Sequence, residues 1–329
     1  MTLRLEGVTV RYGSGKGALT AVDAVDLEVP KGRTLGLVGE SGCGKSTIAR
    51  AIVGLVPIAS GRLLLDGVDH TAERARSSRA FRSRVQMIFQ DPYSSLNPRM
   101  SVGDSITEVL ALRRDVPRST RRNEALRILE LVRLPASALT RYPHQFSGGQ
   151  RQRIAIARAL AVKPDIIVND EVTSALDVSV QANVLNLLRE LQRELGLSYL
   201  FISHDLSTVR YMSDSVAVMY LGRVVEDATT EDLFRAPAHP YTRALIASIP
   251  KLGEKRRPAP VAGDLPDPRH PPSGCRFHTR CPIGPLRFPD RTVCIEQDPQ
   301  VLAATQPHRA ACHFAGEHGA PVPSGSATA

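Results

Sequence analysis

The sequence predicts an α/β fold, and three observations predict it. Short apolar runs alternate with helical patterns through residues 1–250. One of those runs passes through a glycine-rich turn straight into a helix at Lys45. The chain has 329 residues, 42% of them hydrophobic, which is enough for one full core and a smaller appendage.

The elements follow in order. Residues 4–11 and 24–29 read as edge strands joined by a glycine-containing loop. Residues 33–38 read as a buried strand ending at Gly39, followed by a helix from Lys45 to about Gly54. Residues 85–89 form another apolar strand. Residues 101–160 then show three helical patterns and few strand signals, as a helical insertion would. Short buried strands of the parallel kind are expected at 165–170 and 198–202, separated by an amphipathic helix over 178–195. Strands at 215–220 and 223–227 turn at Leu221-Gly222, and a last helix lies near 240–249. This reading makes residues 1–249 one unit, with a helical subdomain at about 100–160. Residues 250–274 are rich in proline and charge and read as an extended linker. Residues 275–314 carry four cysteines, and 315–329 read as a disordered tail.

Composition narrows the function. No apolar run approaches the ~20 residues that span a bilayer. The first residues lead directly into a strand, so no secretory signal is expected. The formal net charge is +9, which suits an anionic ligand or surface. The arginines at 74, 76, 79, 82 and 84 are scattered rather than gathered in one tract, so no nucleic-acid partner is expected.

Gly39-Glu40-Ser41-Gly42-Cys43-Gly44-Lys45-Ser46-Thr47 is a complete P-loop between a strand and a helix. Glycines let the backbone wrap phosphate oxygens, and the amides at the helix start offer partial positive charge. Lys45 is expected on the β- and γ-phosphates and Ser46 on Mg²⁺, making ATP and Mg²⁺ the expected ligands. A P-loop by itself says only NTPase. Downstream, the apolar run Ile166-Ile167-Val168 leads through Asn169 to Asp170 and Glu171. Asp170 is placed to serve Mg²⁺, and Glu171 to polarise the attacking water.

Phe146-Ser147-Gly148-Gly149-Gln150-Arg151-Gln152-Arg153 opens a strong helix and resembles the ABC signature motif. Ser147 and the two glycines would leave a bare helix N-terminus for a γ-phosphate. In that family the signature of one subunit faces the P-loop of another, so the resemblance implies an ATP-sandwich dimer. It also implies an ABC cassette fold: a RecA-like core, an antiparallel β subdomain and a helical signature subdomain. Gln90 matches the Q-loop, and would serve the γ-phosphate and Mg²⁺ and contact a membrane partner. Ser174-Ala175-Leu176-Asp177 matches the D-loop, and His204 matches the switch histidine. Tyr12 takes the place of the aromatic that stacks on adenine. Two positions depart from the pattern: Val172 stands where proline is usual, and Asn169 where an apolar or small residue is usual.

Further segments resemble the oligopeptide/dipeptide permease ATPases, a branch that includes nickel importers. They are Phe89–Arg99, Arg141-Tyr142-Pro143-His144, Ser174–Gln181 and His239-Pro240-Tyr241-Thr242. The resemblance runs over about residues 3–314 and points to the second of the two ATPases in such systems. It implies a peripheral position on the cytoplasmic face of the membrane. The implied partners are a sister ATPase, two transmembrane permease subunits and an extracytoplasmic substrate-binding protein. Peptides are the expected cargo, with nickel or another small solute as the alternative. A soluble ABC ATPase acting on nucleic acid or the ribosome is the alternative of another class. The tail, Pro271–Pro282, resembles the C-terminal motif of the same branch. Cys275, Cys281, Cys294 and Cys312 are separated by 5, 12 and 17 residues. That is wider than the short pairs of zinc fingers, and favours a 4Fe–4S cluster over zinc, with unligated thiols the remaining option.

Overall fold

The computed structural model describes residues 2–91, 95–174, 176–249, 263–299 and 308–316. Of the expected features, Pro92, Tyr93 and Ser94 of the Q-loop segment, Ala175 of the D-loop, residues 250–262 of the linker and residues 317–329 of the tail lie outside these.

Two sheets form the body. The first is antiparallel, with strands β1 (Leu3–Tyr12), β2 (Leu19–Val29), β4 (Ser60–Leu65) and β5 (Val68–Asp69) in the order β2-β1-β4-β5. β1 is therefore interior, not the edge strand expected, because β4 covers its second side with Leu3 opposite Leu65 and Leu5 opposite Leu63. The second sheet has seven strands. In chain order these are β3 (Thr34–Val38), β6 (Val85–Ile88), β7 (Ile166–Asp170), β8 (Ser198–Ile202), β9 (Ser215–Tyr220), β10 (Arg223–Thr229) and β11 (Arg309–Ala310). They lie in the order β11-β10-β9-β3-β8-β7-β6. The five strands from β9 to β6 are parallel, while β10 and β11 add on antiparallel. β3, β7 and β8 are buried at every position, as parallel strands covered on both faces must be. Leu221 and Gly222 both take positive φ, +42° and +83°, the two-residue turn that suits a hairpin.

The helices are α1 (Lys45–Ile52), α2 (Glu73–Arg76), α3 (Arg79–Arg84), α4 (Val102–Leu110), α5 (Arg121–Leu131), α6 (Gly148–Leu160), α7 (Val178–Leu195), α8 (Leu206–Met212), α9 (Thr230–Arg235), α10 (Pro240–Ala247) and α11 (Val293–Glu296). α4, α5 and α6 are the three helices of the expected insertion. α7 buries Val184, Leu187, Leu188 and Leu191 on one stripe and stops at Gly196, whose φ of +68° caps it.

Two apolar cores result. One holds α1 between the antiparallel sheet and one face of the large sheet, with Leu35, Leu37, Ile48 and Ile52 at its centre. The other lies on the opposite face, under α4 to α7. Cys275, Phe277, Cys281 and Cys294 belong to that second core. The cysteine-bearing segment is thus packed into the body, and β11 extends the large sheet through Glu226 opposite Ala310.

Candidate active site

The site grows from the C-terminal ends of β3, β7 and β8. After β3 the chain turns at Gly39, with φ +152°, and enters α1 from Gly44, with φ +109°. A Cβ on Gly39 would stand 2.2 Å from the Met219 carbonyl oxygen, and one on Gly44 2.4 Å from that of Ala21. The loop is squeezed between the backbones of β9 and β2, and only glycine fits at either point. Ser41 and Gly42 face outward, whereas Cys43, Gly44 and Lys45 are buried and Ser46 and Thr47 half-buried. Lys45 donates its ammonium to the carbonyls of Gly39 and Glu40 at 2.8 and 2.9 Å, with Cys43 Sγ at 3.7 Å. Among the described residues no carboxylate pairs with this buried ammonium.

Ser46 Oγ donates to Asp170 Oδ1 at 3.0 Å. Burial raises the pKa of the Asp170 carboxyl, the Ser46 hydrogen bond opposes that, and the neighbouring Glu171 charge adds to it. Glu171 follows with φ +49°, a left-handed conformation uncommon for a side-chain-bearing residue. It is fixed there by Glu171 N donating to Ile202 O at 3.0 Å and by Ser174 Oγ donating to Glu171 O at 3.0 Å. The bend carries the carboxylate out of the strand to Gln90, whose Nε2 donates to Oε2 at 3.0 Å. His204 Nδ1 lies 3.3 Å from the same oxygen. Tyr12, at the end of β1, donates its hydroxyl to Thr47 Oγ1 at 3.4 Å, which sets a partly exposed ring beside the loop.

The P-loop, Tyr12, Asp170, Glu171, Gln90 and His204 therefore come together. The signature residues do not join them. Ser147 and Gln150 bond reciprocally, with Gln150 N donating to Ser147 Oγ at 3.4 Å and Ser147 N to Gln150 Oε1 at 3.1 Å. The expected bare helix end is thus self-capped, because Ser and Gln stand at the capping-box spacing. Gly149 is buried against α7, where a Cβ would meet Val180 Cγ1 at 2.3 Å. Its smallness serves helix packing, not only approach to phosphate. Gly148 stays exposed. Asp177 stands at the N-cap of α7 and is exposed. Two contributors escaped the sequence reading. Ser174 receives Gln90 Nε2 at 3.3 Å while holding the Glu171 carbonyl, and Tyr241 Oη accepts from Glu40 N at 2.9 Å. Both sit in motif segments, the only signal the sequence carried for them.

The family model for ABC transporters matches residues 22–174. That for the oligopeptide/dipeptide transporter C-terminal region matches residues 225–284. A putative peptide import ATP-binding protein of Brucella ovis is 46% identical over 312 residues, covering 94% of this chain and 96% of its own. The oligopeptide transport ATP-binding protein OppF of Salmonella typhimurium is 51% identical over 272 residues, 80% of this chain and 81% of its own. The chain belongs to the ABC transporter family. Among solved structures, the dimeric bacterial ABC transporter cassette MJ0796 superposes with a TM-score of 0.62 at 28% identity, covering 69% of this chain and 98% of that one. The seven-stranded core, antiparallel sheet and helical insertion are those of an ABC ATPase.

The tail of this ABC ATPase packs Cys275, Cys281 and Cys294 into one apolar core and leaves Cys312 half-buried. Cys275 N donates to Cys294 O at 2.8 Å. Burial pushes the thiols of Cys275 and Cys281 up to about 12, neighbouring cysteines adding to the rise. Burial raises those of Cys294 and Cys312 as well. All five cysteines are free thiols. Among the described residues no three His, Cys, Asp or Glu side chains are gathered closely enough to hold one metal ion. The zinc alternative therefore finds no built tetrahedral site here, and the 4Fe–4S expectation finds no metal-binding group to confirm it.

Proposed function

We propose that this chain hydrolyses ATP to power peptide import through a membrane complex. The observation that carries the hydrolytic assignment is the Glu171 carboxylate, held by Gln90 and His204 at the end of the strand whose Asp170 bonds the P-loop Ser46. Glu171 would take a proton from the attacking water, and Gln90 and His204 would orient that water and the γ-phosphate. Lys45 and the loop amides would bind the phosphates, with Tyr12 against the adenine. Mg²⁺, held by Ser46, Gln90 and Asp170, would supply charge neutralisation between the phosphates. The exposed Gly148 edge of the signature and the D-loop Asp177 would complete the P-loop of a second ATPase.

Peptide cargo rests on the names of the relatives and on the match to the oligopeptide/dipeptide C-terminal region. Among the described residues no helix is long and apolar enough to cross a membrane, so translocation would fall to partners. A groove of about 520 Å³ between core and helical subdomain has an apolar floor that includes Met87, Phe89 and Leu112 and is also lined by Arg79, Arg82 and Arg158, which suits an amphipathic helix of a permease subunit with acidic residues on its polar side. That would seat the chain on the cytoplasmic face of the membrane. Affinity purification of the chain from its own cells tests this. Two permease subunits, a sister ATPase and peptide uptake lost with the Glu171→Gln variant are expected. Ribosomal or DNA-bound partners would end the transport reading.

A second reading concerns the cysteines. We propose that Cys275, Cys281, Cys294 and Cys312 ligate a 4Fe–4S cluster, which takes one thiolate at each iron and so suits thiols too widely set for a single ion. The burial of Cys275, Cys281 and Cys294 in one apolar core, with Cys312 half-buried, supports it, and binding would release the thiol protons. Anaerobic purification should give visible absorbance with iron and acid-labile sulfide. Colourless, iron-free protein would remove the reading.

A further inference from the structure

The phosphate loop is gripped from behind by the cysteine-bearing segment. Arg280, the residue before Cys281, is buried and forks onto Glu40 inside the loop: Nη1 to Oε2 at 2.8 Å and Nη2 to Oε1 at 3.1 Å. The same guanidinium donates to Tyr220 Oη at 3.4 Å. Tyr220, Tyr241 and Phe277 pack ring against ring beneath it, with centroids 4.8 to 5.4 Å apart. Tyr241 also accepts the Glu40 amide. The other end of the loop is held through Arg276, which donates to the Leu221 carbonyl and to the Asp23 carboxylate. The next residue, Gly222, donates its amide to Cys43 O at 2.9 Å. Arginines on either side of one short turn thus reach both ends of the loop.

Charge makes the Arg280 contact more than packing. Glu40 places a carboxylate within the loop that must receive a polyanion, two residues from Gly42 and one from Ser41. Lys45 already spends hydrogen bonds on the loop carbonyls, including that of Glu40. An unpaired Glu40 would repel the phosphates and compete for the Lys45 ammonium. A bidentate guanidinium both cancels that charge and fixes its direction away from the ligand.

We propose that Arg280 is a positioning residue for ATP, neutralising and clamping Glu40 so that the cysteine-bearing segment forms the rear half of the phosphate site. This rests on the ATP-binding reading above. The two arms of the test separate them.

The test is a double-mutant cycle on the full-length chain, read by equilibrium titration with the fluorescent analogue mant-ATP and Mg²⁺. Arg280→Ala should weaken binding about tenfold, equivalent to about 1.4 kcal/mol. With Glu40→Gln already present, the same substitution should cost less than about threefold, since no stranded charge remains. Arg280→Lys, which keeps the charge and loses the fork, should lie between. A role in folding alone would cost the same in both backgrounds, and that result, or wild-type binding by Arg280→Ala, overturns the proposal. If Arg280→Ala does not fold, Arg280→Lys with and without Glu40→Gln gives the same comparison. A wild-type chain that binds no mant-ATP would instead overturn the ATP-binding reading.

Discussion

Glu171 Oε2 and His204 Nδ1 face each other across 3.3 Å, one at the end of β7 and the other just beyond β8. Parallel neighbours in the sheet, with Asp170 opposite Ile202, bring the two to the same edge. Glu171→Gln keeps the size of the side chain and its reach to Gln90 but removes the base. Phosphate release should fall by about 10²–10⁴, while mant-ATP binding stays within about twofold of wild type. Normal hydrolysis by this variant would remove Glu171 from its role.

The signature helix gives a second prediction. Gly149 has no room for a methyl group, because Val180 Cγ1 would stand 2.3 Å from it. Valine has little rotamer freedom in a helix and cannot easily swing away. Gly149→Ala should therefore shift α6 against α7 and cost about 1–3 kcal/mol of stability. ATPase activity of the assembled complex should fall with it. Val180→Ala opens the space, so the double variant should recover most of both. Loss of activity that Val180→Ala fails to recover would mean the glycine matters for the phosphate and not for the helix pair.

Asn169 offers a stabilising change. It is fully buried between Ile88 of β6 and Phe201 of β8, and neither Nδ2 nor Oδ1 has a hydrogen-bond partner among the described residues. An unpaired buried amide costs about 1–3 kcal/mol. Asn169→Leu, near in volume, should raise the unfolding midpoint by a few degrees. A lowered midpoint would show that the amide is hydrogen-bonded through an internal water.

Much of this was legible in the sequence because it is local. The P-loop declares its conformation through glycines at Gly39 and Gly44, and α7 through its apolar stripe and the Gly196 stop. Asp170 and Glu171 could be placed because an apolar strand ends on them. What stayed hidden joins residues far apart in the chain. Arg280 meets Glu40 across 240 positions, and Gln90 meets Glu171 across 81. No periodicity encodes such contacts. The interior place of β1 was hidden for the same reason, since it depends on β4, a strand whose Ser60-Gly61-Arg62 start carries little apolar signal. The self-capped signature is local too, since Ser147 and Gln150 stand at the three-residue spacing of a capping box.

His239 leads to a pH prediction. It is fully buried at the start of α10, where Nδ1 accepts from Tyr241 N at 3.0 Å and its ring meets Phe277. Burial lowers its pKa to about 3, with a hydrogen bond to the Ala311 backbone opposing the fall. The buried Glu226 carboxylate accepts His239 N and also lies against His308, so it faces the same region. The unfolded chain binds a proton at about pH 6.5 that the folded chain refuses down to about 3. Stability from this group is complete above pH 6.5 and declines as the pH falls through that value. The slope approaches about 1.4 kcal/mol per pH unit. Between pH 7 and 5 most carboxylates stay ionised, so urea unfolding in that window reads the nine histidines, His308 beside Glu226 among them, and the difference between wild type and a His239 variant gives the His239 share. His239→Asn keeps a side chain able to cap α10 and cannot be protonated, so it should flatten the profile between pH 7 and 5. Equal slopes for the two proteins would mean that His239 is not the group responsible.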